Sequence, residues 1–233
     1  MKNKLIITLF YFSLLIIISC RQPNTNKSQV YTGEIVPINY ADTNYIDLQS
    51  STIDTVTTDK WHIKYLIKDD TTRYNDIYIE CSKGKYKGLF CGTNLLQFRR
   101  YFIPWYIGET ETHILFLHGC ATDCSAILTC SKDSFCKFCD YRNVVDYSVK
   151  YGLILYVPDN AYENVETSYE LALVDLRKDS IHKIVYKNIC MSVYKPDGVD
   201  TVIFSADRVI IKTTLVDMAT HMQENKQIKE IIL

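Results

Sequence analysis

The stretch that decides the fold is Leu-Ala-Leu-Val-Asp-Leu-Arg-Lys-Asp-Ser-Ile-His-Lys-Ile-Val-Tyr, residues 171–186. A largely apolar segment, 171–176, is followed by the polar run 177–180 and by a second apolar-rich segment, 181–186. Two short apolar segments around a polar turn are typical of a β-hairpin. The segments 202–204 and 209–211 predict another hairpin in the same way.

The same signals continue outward from this hairpin. Residues 61–67 alternate so that Trp61, Ile63, Tyr65 and Ile67 share one strand face, whereas 113–118 and 153–157 are apolar as in strands buried on both faces. Only residues 215–222 show helical spacing. We therefore predict an all-β domain over residues 31–233, an antiparallel meander resembling a small or incomplete propeller, with a two-sheet β-sandwich as the alternative.

The N-terminus has the three parts of a secretory signal peptide. Lys2 and Lys4 precede an apolar run over residues 5–18, and Ser19 precedes Cys20. The run is shorter than the roughly 20 apolar residues that a membrane-spanning helix needs. We predict that residues 1–19 are the signal peptide and that residues 20–30 are a flexible tether.

The residues Ile17-Ile18-Ser19-Cys20 resemble the lipobox of bacterial lipoproteins, with isoleucine in place of the commoner leucine. The resemblance implies cleavage before Cys20 and attachment of lipid to that cysteine, which makes the membrane a partner through the lipid. Arg21 follows the cysteine, where an inner-membrane lipoprotein usually has Asp. This implies an outer-membrane lipoprotein that faces the periplasm, with surface exposure as an alternative.

Charge excludes one class of partner. Cleavage would remove two lysines and no acid, leaving 24 basic and 27 acidic residues and a net charge of −3. Nucleic-acid binding depends on many Lys and Arg residues that neutralise phosphates, so we expect no nucleic-acid partner. No sequence motif implies a cofactor.

Eight cysteines remain besides Cys20, and an even number in an exported chain indicates disulfides. The candidates are Cys81, Cys91, Cys120, Cys124, Cys130, Cys136, Cys139 and Cys190. Two pairings are hypotheses from local geometry: Cys81 with Cys91 across a hairpin that turns at residues 82–85, and Cys120 with Cys124 around a tight turn.

Two other uses of the cysteines stay open. Four thiolates can hold zinc in a tetrahedron, and Cys120, Cys124, Cys136 and Cys139 are the candidate set. Alternatively, Cys136 and Cys139 form a C-x-x-C pair that could perform thiol-redox chemistry, although the surrounding sequence lacks the βαβ pattern of such enzymes.

The segment Gly-Cys-Ala-Thr-Asp-Cys, residues 119–124, resembles the G-C-x-T-x-C hairpin of small exported β-rich bacterial proteins of unknown function. In those proteins glycine is commoner at the place of Ala121. The resemblance implies export and β structure, and it names no activity.

No catalytic motif is apparent. Cys120 and His118 could act as nucleophile and base, but no third group that would orient the histidine is evident. Glu109 and Glu111 could pair as acid and base, although a solvated loop explains them as well. We expect a non-catalytic binding or structural protein of the envelope, with an immunity-type protein that binds a protein partner as the more specific version. The alternatives are a periplasmic hydrolase acting on wall or glycan, and the thiol-redox protein.

Overall fold

Strands that follow one another in the sequence pair antiparallel and form four successive sheets. The computed structural model describes residues 34–41, 48–50, 52–69, 77–92, 100–121, 123–159, 168–187, 198–216 and 224–233. All of these residues belong to one compact unit, Gly33–Leu233. The prediction of an all-β antiparallel meander is confirmed.

Sheets I and II come first along the chain. Sheet I has the order β1-β3-β4-β5, with β2 paired to β3, and sheet II has the order β6-β7-β8-β9. The strands of sheet I are β1 Glu34–Pro37, β2 Thr55–Val56, β3 His62–Asp69, β4 Ile77–Lys83 and β5 Tyr86–Gly92. The strands of sheet II are β6 Trp105–Glu109, β7 His113–Ala121, β8 Cys124–Ser131 and β9 Phe138–Tyr141.

Sheets III and IV complete the described chain, with the orders β10-β11-β12-β13 and β14-β15-β16. The strands of sheet III are β10 Val144–Ser148, β11 Leu153–Tyr156, β12 Ser168–Asp175 and β13 Ser180–Lys187. The strands of sheet IV are β14 Val199–Phe204, β15 Arg208–Val216 and β16 Glu224–Ile232. The hairpin predicted over residues 171–186 is β12 and β13, joined by a turn at residues 176–179.

Apolar side chains pack each sheet face to face on the next. Ile114 and Phe116 of β7 pack against sheet I, whereas Leu115 between them packs against sheet III, because successive strand residues point to opposite faces. In the same way, Leu153 and Leu155 of β11 join a cluster with sheet IV. Such consecutive stacking of meander sheets is the arrangement of blades in an incomplete propeller.

The predicted helical segment is wrong where the structure describes it. Leu215 lies in strand β15, fully buried, because its neighbours pair with β16. The rest of that segment, like Cys20 and the predicted signal peptide and tether, lies outside the described residues. Within the described residues, no helix has the length and apolar character required to cross a bilayer.

Candidate functional site

Turns from three successive sheets surround an open recess of about 560 Å³. They connect β2 to β3, β6 to β7, β10 to β11, and β12 to β13. The lining residues are Thr58, Asp59, Glu109, Thr110, Glu111, Thr112, Val149, Lys150, Tyr151, Gly152 and Arg177. Loops that a rigid scaffold holds in place are where proteins most often bind and catalyse. We call this concavity the recess.

Lys132, in the loop after β8, forms ion pairs with two acidic residues that line the recess. Its ammonium lies 2.7 Å from a carboxylate oxygen of Asp59 and 2.6 Å from one of Glu109, and it also donates to the carbonyl of Thr110. Only 6% of the Lys132 side chain is exposed. The backbone N–H of Asp59 donates to the other oxygen of Glu109 at 2.9 Å. One buried cation thus fixes two acidic side chains from different sheets.

The two carboxyl groups keep their charge. The hydrogen bond with Lys132, followed by its positive charge, lowers the pKa of Asp59. Burial alone would raise the pKa of Glu109, but hydrogen bonds from Lys132, the Asp59 backbone and Thr57 outweigh burial and lower it. A carboxyl group with a lowered pKa is a poor general acid at neutral pH. The arrangement therefore does not support Glu109 as the acid of a pair with Glu111.

Arg177 forms a second fixed charge in the lining of the recess. Its guanidinium donates to both carboxylate oxygens of Asp175, at 2.9 and 2.8 Å, and to the carbonyl of Ala206 at 2.8 Å. Asp175 is fully buried, and Arg177 outweighs that burial and lowers the pKa of Asp175. The pair joins the β12–β13 turn to the turn that precedes β15.

A bulge in β6 brings sheet II against the β10–β11 turn. The register of β6 shifts between Tyr106 and Gly108, and Gly108 has φ = 150°. A Cβ atom at Gly108 would lie 2.8 Å from Cγ1 of Val149, closer than van der Waals contact allows. Glycine is therefore needed here for the two sheets to approach and for Glu109, the next residue, to reach Lys132.

The rim carries the charges that face solvent. Glu111 and Lys150 are exposed in the β6–β7 and β10–β11 turns, and the Lys150 ammonium lies 4.9 Å above the ring of Tyr151. Lys83 is exposed beside an adjoining hollow that Asp59, Glu111 and Lys132 also line. The rim therefore offers both signs of charge next to a half-buried aromatic ring.

The described cysteines partly confirm the sequence interpretation. Cys120 and Cys124 are joined in a disulfide, with Cα atoms 5.1 Å apart, as proposed. The proposed pair of Cys81 and Cys91 is wrong, because the two-residue turn at residues 84–85 sets Cys81 opposite Gly88 and Cys91 opposite Tyr78. A hairpin turn fixes the register of both strands, so the two cysteines are three residue pairs apart.

Three other members of the predicted disulfide set, Cys81, Cys130 and Cys136, are buried thiols in the apolar core. Cys91 is exposed and Cys139 is half-buried. Cys190 lies outside the described residues. Because Cys120 is bonded to Cys124, the set of Cys120, Cys124, Cys136 and Cys139 does not supply four thiolates to zinc. Over the ranges given above, no three His, Cys, Asp or Glu side chains cluster suitably for a metal ion.

The C-x-x-C pair does not resemble a redox site. Cys136 is 3% exposed, its thiol donates to the carbonyl of Asp133 at 3.5 Å, and burial raises its pKa. A reactive cysteine needs the opposite, because the thiolate is the nucleophile.

His118 has a partner that no sequence pattern indicated. Nε2 of His118 lies 2.9 Å from a carboxylate oxygen of Asp140, and Nδ1 lies 2.8 Å from the carbonyl oxygen of Gly119. Burial alone would raise the pKa of Asp140, but the hydrogen bond and charge of His118 outweigh it and lower the pKa.

This arrangement fixes the ring of His118, so that it is not available as the base for Cys120. Both ring nitrogens are occupied, and the sulfur of Cys120 is bonded to Cys124. The nucleophile and base considered from the sequence are therefore not assembled. Asp140 carried no sequence signal, since only the pairing of β8 with β9 brings it near β7.

Comparison of the chain with models of known protein families, with curated proteins and with solved structures finds no match.

Proposed function

We propose that the protein is a lipid-anchored component of the bacterial envelope that binds a protein partner at the recess and catalyses no reaction. The anchor rests on the lipobox-like residues that end at Cys20. The binding role rests on one structural observation, which is that ion pairs hold Asp59, Glu109 and Arg177 in the recess in fixed charge states.

Fixed charges suit recognition better than proton transfer. A general acid or base needs a pKa near the working pH and a proton that it can give or take. Charges of both signs on a rigid surface instead orient a complementary partner and select against other partners. Lys83, Glu111 and Lys150 are exposed around the recess and so meet such a partner first.

An immunity-type role is the more specific form of this proposal. A protein tethered by lipid at the envelope can intercept an incoming toxin, and a toxin surface with opposite charges at corresponding positions would fit the rim. Tight binding between the two proteins, lost on charge reversal at both Glu111 and Lys150, would support that form.

Photo-crosslinking in the native membrane tests the binding site. A photoreactive amino acid at Lys150 should crosslink to one partner, whereas one at Lys183, exposed on β13, is the control. Crosslinking to the same species from both positions would contradict a site at the recess. Hydrolysis of wall fragments that Glu111→Gln abolishes would contradict the non-catalytic role and favour the hydrolase.

A further inference from the structure

Three cysteines meet in the apolar core where sheet I packs on sheet II. Cys81 belongs to β4, Cys130 to β8, and Cys136 to the loop before β9. Cys81 and Cys130 are fully buried and Cys136 is 3% exposed, all within one hydrophobic cluster. Cys81 is 49 residues before Cys130, so the packing of the two sheets brings it to the other two.

Cys81 and Cys130 face the same cluster from different sheets. The Cys130 thiol donates to the carbonyl of Ser131 at 3.7 Å. Its interaction with Cys81, followed by burial, raises the pKa of Cys130. A disulfide between the two cysteines requires Cβ atoms about 3.5–4.5 Å apart, which demands a close approach of β4 and β8 in this cluster.

The third thiol is turned toward its own loop. Cys136 donates from sulfur to the carbonyl of Asp133 at 3.5 Å. Its Cβ packs on the backbone of β5 at Gly88, where an added Cβ would lie 2.5 Å from that of Cys136. Gly88 thus leaves the space that Cys136 occupies, and a glycine is required for this close approach. Cys136 is held in place without bonding to either of the other two sulfurs.

We propose that Cys81 and Cys130 form a disulfide that joins sheet I covalently to sheet II, while Cys136 remains a thiol. This inference rests on the proposed export of the chain, since an oxidising compartment supplies the oxidant. The two thiols lose two protons and two electrons, and a sulfur–sulfur bond forms between them. The electrons and protons pass to the disulfide of a thiol–disulfide oxidoreductase, which becomes a dithiol.

The crosslink would stabilise the protein because it closes a long loop. About 50 residues separate the two cysteines, and the chain-entropy relation gives a shift of roughly a thousandfold in the folding equilibrium. The burial of both sulfur atoms would protect the bond from reductants in the folded protein. This disulfide would differ from that of Cys120 and Cys124, which closes a short hairpin and joins no two sheets.

Peptide mapping tests the pairing on the wild-type protein. The full chain is purified from detergent extract, refolded in a glutathione redox buffer, alkylated and digested without reduction. We expect a peptide pair linked through Cys81 and Cys130, with Cys136 alkylated. Alkylation of Cys81 and Cys130, or a link from either of them to another cysteine, would overturn the inference.

Two variants separate the crosslink from packing. Reduction should lower the denaturation midpoint of wild type and of Cys136→Ser by equal amounts. The double variant Cys81→Ser with Cys130→Ser should lose most of that reduction-dependent shift, and an undiminished shift would contradict the proposal. Refolding in vitro does not depend on the membrane. If Cys20 carries lipid but no Cys81–Cys130 disulfide forms, only the disulfide inference fails. If the disulfide forms but Cys20 carries no lipid, only the proposed anchor fails.

Discussion

At the residue scale, Lys132 is the side chain on which the recess depends. It neutralises two carboxylates from sheets I and II while almost entirely buried. No sequence signal pointed to it, because a single lysine after a strand is usually a solvated charge. Its partners Asp59 and Glu109 are 73 and 23 residues away. Periodicity predicts which face a residue occupies, but it does not predict which turns of different sheets will meet.

Replacing Lys132 with methionine should remove the charge and retain most of the side-chain volume. Glu109 would then be left largely buried without its cation, so we expect the free energy of unfolding to fall by about 3 kcal/mol. Chemical denaturation at pH 7 measures this change. Lys150→Met is the matched control, because Lys150 is exposed and makes no carboxylate contact in the described recess. Equal stability of the two variants would contradict the role of Lys132.

Acidification should destabilise the protein through its paired carboxylates. The pKa values of Asp175, Asp140 and Glu109 are lowered in the folded state, so the unfolded chain binds protons more readily. Their contribution to stability is present above the ordinary pKa of about 4 and is lost as the pH falls through the lowered values. The free energy of unfolding should therefore decrease from about pH 5 to pH 3.

The variant Asp175→Asn isolates one of these groups. It should lower the free energy of unfolding at pH 7 by about 2 kcal/mol, because the buried site loses a charged hydrogen-bond acceptor for Arg177. The free energy of unfolding of this variant should also decrease less between pH 5 and pH 3 than that of the wild type. Asp207→Asn, at an exposed position, is the control, and identical pH profiles for the two variants would refute this assignment.

At the element scale, hairpins were the most readable feature of the sequence. The turn after residue 176 and the apolar segments beside it were predicted to within a residue or two, because both signals are local. The pairing of Cys81 with Cys91 failed because the turn fixes the register, and a turn at residues 84–85 sets Cys81 opposite Gly88. The helical spacing at residues 215–222 failed at Leu215 because pairing with β16 outweighed local propensity.

The bulge at Gly108 lets β6 pack closely against the β10–β11 turn, and this contact can be tested. Gly108→Ala should lower the free energy of unfolding by about 2 kcal/mol, since the new methyl group collides with Val149. Adding Val149→Ala removes the colliding atoms, so the double variant should be less destabilised than the sum of the two single changes. Additive effects in a urea denaturation series would argue against the contact.

At the scale of the whole molecule, four meander sheets stack in sequence order, and turns of the first three surround one recess. The all-β class followed from strand spacing, and the stacking followed from strands 113–118 and 153–157, whose apolar runs indicated burial on both faces. The recess itself could not be predicted, since it exists only where the turns of three sheets converge. The fixed charges of the recess support the proposed binding role. The expected location at the membrane rests on the sequence of the first 20 residues.

Intact mass and N-terminal peptide analysis of the protein, extracted by detergent from its native membrane, test the proposed anchor most directly. We expect a mature chain that begins at Cys20 and carries a diacylglycerol on the sulfur and an acyl chain on the amine. A chain that retains residues 1–19, or one with an unmodified Cys20, would contradict it.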